Sequence, residues 1–291
     1  MISLNAYAKI NWTLDILNKR EDGYHEMDML MQSIDLHDVI TLETAEEISL
    51  QPALDNAPQN SPSTPIVYDE TNLVIRAAHA LCQYVKKSAG VKITLKKNIP
   101  SEAGLGGGSA DAAAVLIGLN QYWRFGISNA ALLEIGAGLG ADIPFLLTGG
   151  FARVNGLGEI IQPLPALKKR YLILIQPCRG LSTPEVFKAY DRSEQIALRH
   201  PDNDRVSDIL LHNRDVLLRQ YAANVMEPIN VKHYPKIGTA IDALYANRCD
   251  YAAMTGSGSV VFGSFAEEGR RDAAFSILQK EYRWIWRTET R

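Results

Sequence analysis

The chain has 291 residues, 46% of them hydrophobic and 22% charged, the make-up of an ordinary soluble globular protein of about two domains. Its 30 basic and 33 acidic residues leave a net charge of −3, which offers no electrostatic footprint for non-specific nucleic-acid binding. Three widely spaced cysteines, Cys82, Cys178 and Cys249, with no CxxC pair, argue against a disulfide framework or zinc knuckle and fit reduced thiols in a cytoplasmic protein. The N-terminus lacks a basic segment followed by an apolar one, and no apolar run nears the roughly 20 residues that span a bilayer. Neither a secretory leader nor a membrane partner is therefore expected.

In chain order, residues 10–16 alternate apolar and polar side chains, which predicts a half-buried strand. Asp22-Gly23 marks a turn, and a second extended stretch follows over residues 27–42. Residues 51–65 carry Pro52, Pro58, Pro62 and Pro65 among Asn, Gln and Ser, an exposed loop and not a domain linker. Leu73, Ala77, Ala80, Leu81 and Val85 share one face of a helix over 72–85, and residues 91–95 alternate as a strand. A glycine-rich run then enters an Ala/Leu-rich helix over 109–122, with a shorter helix over 129–137. Gln162-Pro163-Leu164-Pro165 reads as a boundary between domains spanning 1–160 and 161–291. Beyond it the patterns predict a strand over 171–176, a helix over 183–190 capped by Ser182, and helices over 206–219 and 235–246. A strand at 260–262, a helix over 267–281 and a strand at 283–286 close the chain. There is no repeat at solenoid periods and no regular βαβ alternation, so the fold class is α+β.

Three consecutive glycines, Gly106, Gly107 and Gly108, weaken any helix or strand by about 1 kcal/mol each. What they permit is positive φ and close backbone approach. Directly before a helix start, they let successive N–H groups converge on an anion, and the helix N-terminus adds roughly half a positive charge. A triphosphate is the natural guest, and a flexible strand-to-helix turn is the competing reading. Other motifs fail. No Walker A sequence, HRD or DFG occurs. Gly136-Ala137-Gly138-Leu139-Gly140-Ala141 fits a dinucleotide fingerprint by letter, but it follows a helical pattern, and Pro144 disfavours a helix starting there. His25-Glu26 lacks the second histidine of a zincin, since position 29 is methionine.

The segment Pro100-Ser101-Glu102-Ala103-Gly104-Leu105-Gly106-Gly107-Gly108-Ser109-Ala110 resembles the ATP-binding motif of the GHMP small-molecule kinases. Ala8-Lys9-Ile10-Asn11 and Met254-Thr255-Gly256-Ser257-Gly258-Ser259 resemble two further blocks of that family. Finer blocks are more specific: Arg20-Glu21-Asp22-Gly23-Tyr24-His25-Glu26, Gly140-Ala141-Asp142-Ile143-Pro144 and Ser182-Thr183-Pro184. They resemble the branch that phosphorylates a cytidine-diphospho methylerythritol in non-mevalonate isoprenoid synthesis. The matching blocks run from residue 6 to residue 263. The resemblance implies a two-domain GHMP kinase fold, with an N-terminal domain like the second domain of ribosomal protein S5 and a ferredoxin-like C-terminal domain.

The same resemblance implies transfer of the γ-phosphoryl of ATP to the 2-hydroxyl of the methylerythritol moiety, with Mg2+ bridging phosphate oxygens. Asp142 then stands as catalytic base, where its setting alone would read as a turn or helix-cap aspartate. Lys9 stands as its partner, offsetting charge on the transferring group, where alternation alone would read as a solvated edge-strand lysine. Tyr7, Lys9 and Asn11 share a strand face, so Asn11 could bind the substrate or Lys9. Asn72 and Lys97 fall at nucleotide positions, with a helix cap and a surface lysine as the plain readings. Tyr24 and Phe187 would sandwich a cytosine whose edge His25 hydrogen-bonds. The partner is this cytidine-diphospho small molecule, with no nucleic acid or membrane, in a monomer or weak homodimer. Two alternatives stay open: a GHMP kinase for a mevalonate- or homoserine-type alcohol, and a non-catalytic RNA-binding module.

Overall fold

The computed structural model describes residues 1–54, 66–193 and 199–291. Two long strands, β1 (Ile2–Lys19) and β2 (His25–Thr44), form an antiparallel hairpin across the Asp22-Gly23 turn. On its other edge, β2 is long enough to pair with β4 (Val91–Lys96) through its C-terminal half and with β5 (Phe151–Gly156) through its N-terminal half. β3 (Ile48–Pro52) adds in parallel to β4, and β6 (Ile160–Pro163) pairs antiparallel with β5. The predicted loop at 51–65 therefore begins inside a strand, and its residues 55–65 lie outside the described residues.

Four helices serve this sheet: α1 (Leu73–Val85), α2 (Gly107–Tyr122), α3 (Asn129–Leu139) and α4 (Ile143–Thr148). α2 packs on β1 and β2, and the other three pack against it. Its alanines make this possible, since Ala110, Ala112, Ala113 and Ala114 are all buried and let the helix approach closely. α4 was not foreseen because Pro144 reads as a breaker. Proline is harmless in a first turn, where its missing N–H has no acceptor anyway, and Pro144 sits there.

The second sheet has the order β10-β7-β9-β8, all antiparallel, from β7 (Tyr171–Ile175), β8 (Tyr251–Met254), β9 (Val261–Phe265) and β10 (Ile285–Glu289). With α9 (Lys236–Ala246) before β8 and α10 (Glu268–Leu278) before β10, this is a ferredoxin-like β-α-β-β-α-β arrangement. Between β7 and α9 lie α5 (Thr183–Asp191), α6 (Asn203–Leu211), α7 (Leu218–Tyr221) and α8 (Glu227–His233). The single helix expected over 206–219 is broken. Asn213 takes a left-handed φ of 56°, and a 3-10 turn at Asp215–Leu217 re-aims the chain. Ser182 holds the N-cap position of α5, but its side chain makes no capping hydrogen bond.

The outer edge of β1 is where the molecule is joined. Leu14 exchanges backbone hydrogen bonds with Ala223 and Val225, and Lys9 N–H donates to the Leu105 carbonyl at 3.1 Å. The indole of Trp12, 1% exposed, meets Phe262 of β9 edge-on at 5.4 Å. One apolar core thus spans both sheets.

Candidate active site

A cleft of about 1500 Å³ lies where the β1 edge, the glycine loop and α5 meet. The glycine loop is shaped by three left-handed residues, Glu102 (φ 52°), Gly104 (φ 76°) and Gly106 (φ 72°). A Cβ on Gly104 would lie 2.1 Å from the Thr255 carbonyl oxygen, so the loop rests directly on the second glycine segment. Gly106 is the N-cap, and α2 begins at Gly107, two residues earlier than the sequence suggests. Gly107 and Gly108 therefore lie inside the helix. Their N–H groups, with that of Ser109, have no acceptor within it and can bind an anion. Ala110 N–H already bonds the Gly106 carbonyl at 2.8 Å. Ser101, Glu102, Ala103, Gly104 and residues 106–109 line the cleft, whereas Pro100, Leu105 and Ala110 are buried behind it.

Lys9 is 3% exposed and so is no solvated edge lysine. Its Nζ donates to Asn11 Oδ1 at 2.7 Å and stands 3.8 Å from Asp142 Oδ2. Burial lowers the Lys9 pKa below 10.5, and the charge of Asp142 works against that shift. Irregularities in the β1–β2 register flank this pair, between Tyr7 and Lys9 and between Asn11 and Thr13, a common device for aiming side chains at a site. Tyr7 does not join them; it packs on His37 and under Arg291. Asn11 N–H donates to Thr255 Oγ1 at 3.0 Å, and that hydroxyl reaches the Gly104 carbonyl at 3.2 Å. Thr255 thus ties strand, glycine loop and second glycine segment together.

Asp142 occupies the N-cap position of α4, yet its side chain makes no capping bond and is 35% exposed. A Cβ on Gly106 would lie 3.3 Å from Lys9 Cε and 3.5 Å from Asp142 Oδ2. Loop, ammonium and carboxylate therefore converge on one point. Such a set can hold phosphates, accept a proton and offset charge on a transferring group.

Asn72 caps α1, its Oδ1 accepting from Val74 N–H at 2.9 Å, and its Nδ2 donates to the Val67 carbonyl at 2.6 Å while the residue borders the cleft. Lys97 also borders it but is no surface lysine. Its buried ammonium pairs with Asp38 and, at 2.8 Å, with Asp111. Burial opposes that charge, but the two carboxylates outweigh it and raise the Lys97 pKa, while burial pushes Asp111 well up. The triad supports the start of α2, since a Cβ on Gly107 would lie 3.3 Å from Lys97 Nζ. Asp38 and Asp111 were missed in the sequence reading, though an aspartate inside an alanine-rich helix was a signal for the second.

At the other end, Tyr24 is 63% exposed on the turn. His25 stacks on Phe187 of α5, with ring centroids 5.0 Å apart and planes at 22°. The imidazole therefore already covers one face of Phe187, and its Nε2 lies 2.6 Å from Asp191 Oδ1. A base sandwiched between Tyr24 and Phe187 has only the other face of Phe187 to use. Asp191 had no signal in the sequence.

The family model described as GHMP kinases N terminal domain matches residues 72–150, and that described as GHMP kinases C terminal matches residues 195–283. The chain belongs to the GHMP kinases. Within that family it is similar to 4-diphosphocytidyl-2-C-methyl-D-erythritol kinases. The one from Alkaliphilus metalliredigens is 37% identical over 285 residues, covering 96% of this chain and 94% of the relative. The one from Carboxydothermus hydrogenoformans is 41% identical over 257 residues, covering 88% and 86%. A crystal structure of 4-(cytidine 5'-diphospho)-2C-methyl-D-erythritol kinase matches with a TM-score of 0.80 at 29% identity over 99% of both chains. The L. major mevalonate kinase matches at 0.68 with 14% identity over 100% of this chain and 96% of that one, which shows the fold alone.

Proposed function

We propose that this chain transfers the γ-phosphoryl group of ATP to the 2-hydroxyl of 4-diphosphocytidyl-2-C-methyl-D-erythritol, in non-mevalonate isoprenoid synthesis. The observation that carries the chemistry is the convergence of Lys9 and Asp142, 3.8 Å apart, on the helix-start glycine loop. The similarity to kinases of that name over nearly the whole chain supports the substrate.

The loop N–H groups and the α2 N-terminus hold the phosphates in place. Asp142 accepts the proton of the 2-hydroxyl as its oxygen attacks the γ-phosphorus, and the bond from that phosphorus to the ADP oxygen breaks. Lys9, held by Asn11, faces the charge that spreads over the transferring group. Asn72 borders the nucleotide side, and Lys97 acts through the loop it supports. Tyr24, His25 and Phe187 bind the cytosine. Among the described residues no three His, Cys, Asp or Glu side chains cluster as a metal cage. A Mg2+ carried in on ATP needs only one or two protein oxygens. The Ser109 hydroxyl, in the first turn of α2 on the cleft wall, is a hard donor of that kind. Bound there, the ion would neutralise phosphate charge.

A kinase assay with the cytidine-diphospho substrate, followed by phosphorus NMR of the product, tests the reading. The expected product carries a new phosphate monoester on the tertiary alcohol. Turnover of mevalonate or homoserine and not of this substrate would place the chain elsewhere in the family.

A further inference from the structure

Thr255 is fully buried just beyond the end of β8, behind the part of the cleft wall that Gly256 and Ser257 form. Its Oγ1 accepts the Asn11 N–H at 3.0 Å. Its own hydrogen has two carbonyl oxygens in reach, that of Gly104 at 3.2 Å and Asn11 Oδ1 at 3.4 Å. Asn11 Oδ1 is also the acceptor for Lys9 Nζ, at 2.7 Å. A lysine ammonium is a point charge on a flexible stem, so its place depends on what grips it. Here the grip starts in the second sheet and passes through Asn11.

The segment that carries Thr255 is itself fixed. Asn224 Nδ2 donates to the carbonyls on either side of it, those of Met254 and Gly256, both at 2.9 Å. Asn230 Nδ2 donates to the Ser257 carbonyl at 2.9 Å, and Thr255 N–H to the Val260 carbonyl at 3.0 Å. Asn224 lies between Ala223 and Val225, whose backbone bonds to Leu14 join this region to β1. There is no slack on the far side either. A Cβ on Gly256 would lie 3.2 Å from Lys9 Nζ and 2.9 Å from the Gly104 carbonyl oxygen.

We propose that Thr255 is a positioning residue for phosphoryl transfer: from the second sheet, its hydroxyl sets Asn11 and through it holds the Lys9 ammonium beside the glycine loop. This rests on the kinase reading above. The Lys9 charge helps only where charge develops on the transferring group, and a displacement of about 1 Å can cost on the order of a hundredfold in rate. Thr255 itself touches neither ATP nor the acceptor, so its loss falls on kcat more than on binding.

The test uses the ATP-dependent assay with the cytidine-diphospho substrate. Thr255→Val nearly keeps the volume and removes the hydroxyl, and Thr255→Ser keeps the hydroxyl. In Thr255→Val kcat is expected to fall at least about tenfold, with the substrate KM and the ATP Kd within about twofold of wild type. Thr255→Ser should recover most of the loss. Thr255→Ala, which presses no methyl on the Gly104 carbonyl, takes the place of the valine variant if that chain does not fold. The comparison is then repeated in Asn11→Ala. Removing the Thr255 hydroxyl there should cost less than about a further threefold, because the side chain it acts through is already gone. An equal cost in both backgrounds, a loss confined to ATP affinity, or wild-type kcat in Thr255→Val would each overturn the proposal. Wild-type protein that phosphorylated no cytidine-diphospho substrate would remove the kinase reading and the proposal with it, an outcome told apart from the others because it appears before any substitution is made.

Discussion

Asp142→Asn and Lys9→Ala should each lower kcat at least about a hundredfold, the range for losing a general base or an electrostatic partner in a preorganised site. ATP binding should survive both, because loop backbone supplies the phosphate contacts; nucleotide titration beside the rate measurement checks this. Near-normal turnover would remove the residue from the mechanism. Lys9 also predicts a pH dependence. Its pKa is lowered from 10.5 by burial, so its ammonium is lost at lower pH than a free lysine's. The rate should fall as pH rises, with a midpoint below 10.5, and Lys9→Arg should shift that limb upward even if its rate is lower. A limb that does not move would place the titration on another group. Phe187→Ala should weaken the cytidine substrate about ten- to a hundredfold by removing one stacking surface, with ATP affinity as the control. Lys9, Asp142 and His25 stand in motif blocks, Phe187 lies three residues beyond one, and the resemblance already set Lys9 beside Asp142 and Asn11. The distant supports had no such signal. Thr255, 244 residues beyond Asn11, and Asp191, 166 beyond His25, become neighbours only when the two sheets join.

At the scale of elements, the glycine run was read as a loop preceding a helix, whereas two of its three glycines belong to the helix. Only Gly106 of the three carries a positive φ, so the steric demand for glycine is sharpest there. Gly106→Val should abolish ATP binding, since a β-branched residue resists φ 72° and its Cβ would crowd the Lys9 side chain at 3.3 Å. Circular dichroism should show a folded chain, and unchanged ATP affinity would reduce the loop to a turn. The strict alternation of residues 10–16 marked β1 correctly but suggested one solvated face. In the structure Asn11, Thr13 and Asp15 are buried as well, because the far edge of β1 and its second face are covered by distant segments. A period of two reports a strand; it cannot report what is stacked on either side. The split of the 206–219 helix was likewise hidden, since a single left-handed residue interrupts it without a glycine or proline to announce it.

At the scale of the molecule, the joint between glycine segment and helices contains a half-buried acid. Glu227 at the start of α8 accepts from Met254 N–H at 2.7 Å, and burial pushes its pKa from 4.5 up to about 7. A carboxyl with a raised folded-state pKa binds its proton more tightly when folded. Its contribution is complete below pH 4.5 and is lost as pH rises through about 7, at most about 3 kcal/mol and less where water reaches it. Glu227→Gln should remove that dependence, so that the variant gains in Tm relative to wild type between acid and mildly alkaline buffer; a gap that stays constant with pH would refute the assignment. By itself the sequence determined the fold class and the two glycine segments, because turn chemistry, periodicity and motif spacing are local and survive without coordinates; the resemblance added Lys9, Asp142 and His25 at the cleft, but neither Asp111 nor Asp191. Only the tertiary structure decided which side chains meet beyond Lys9 and Asp142: Lys97 with Asp38 and Asp111, His25 with Asp191. Those pairings cross between elements far apart in the chain, and their strength comes from burial, which no single segment creates alone.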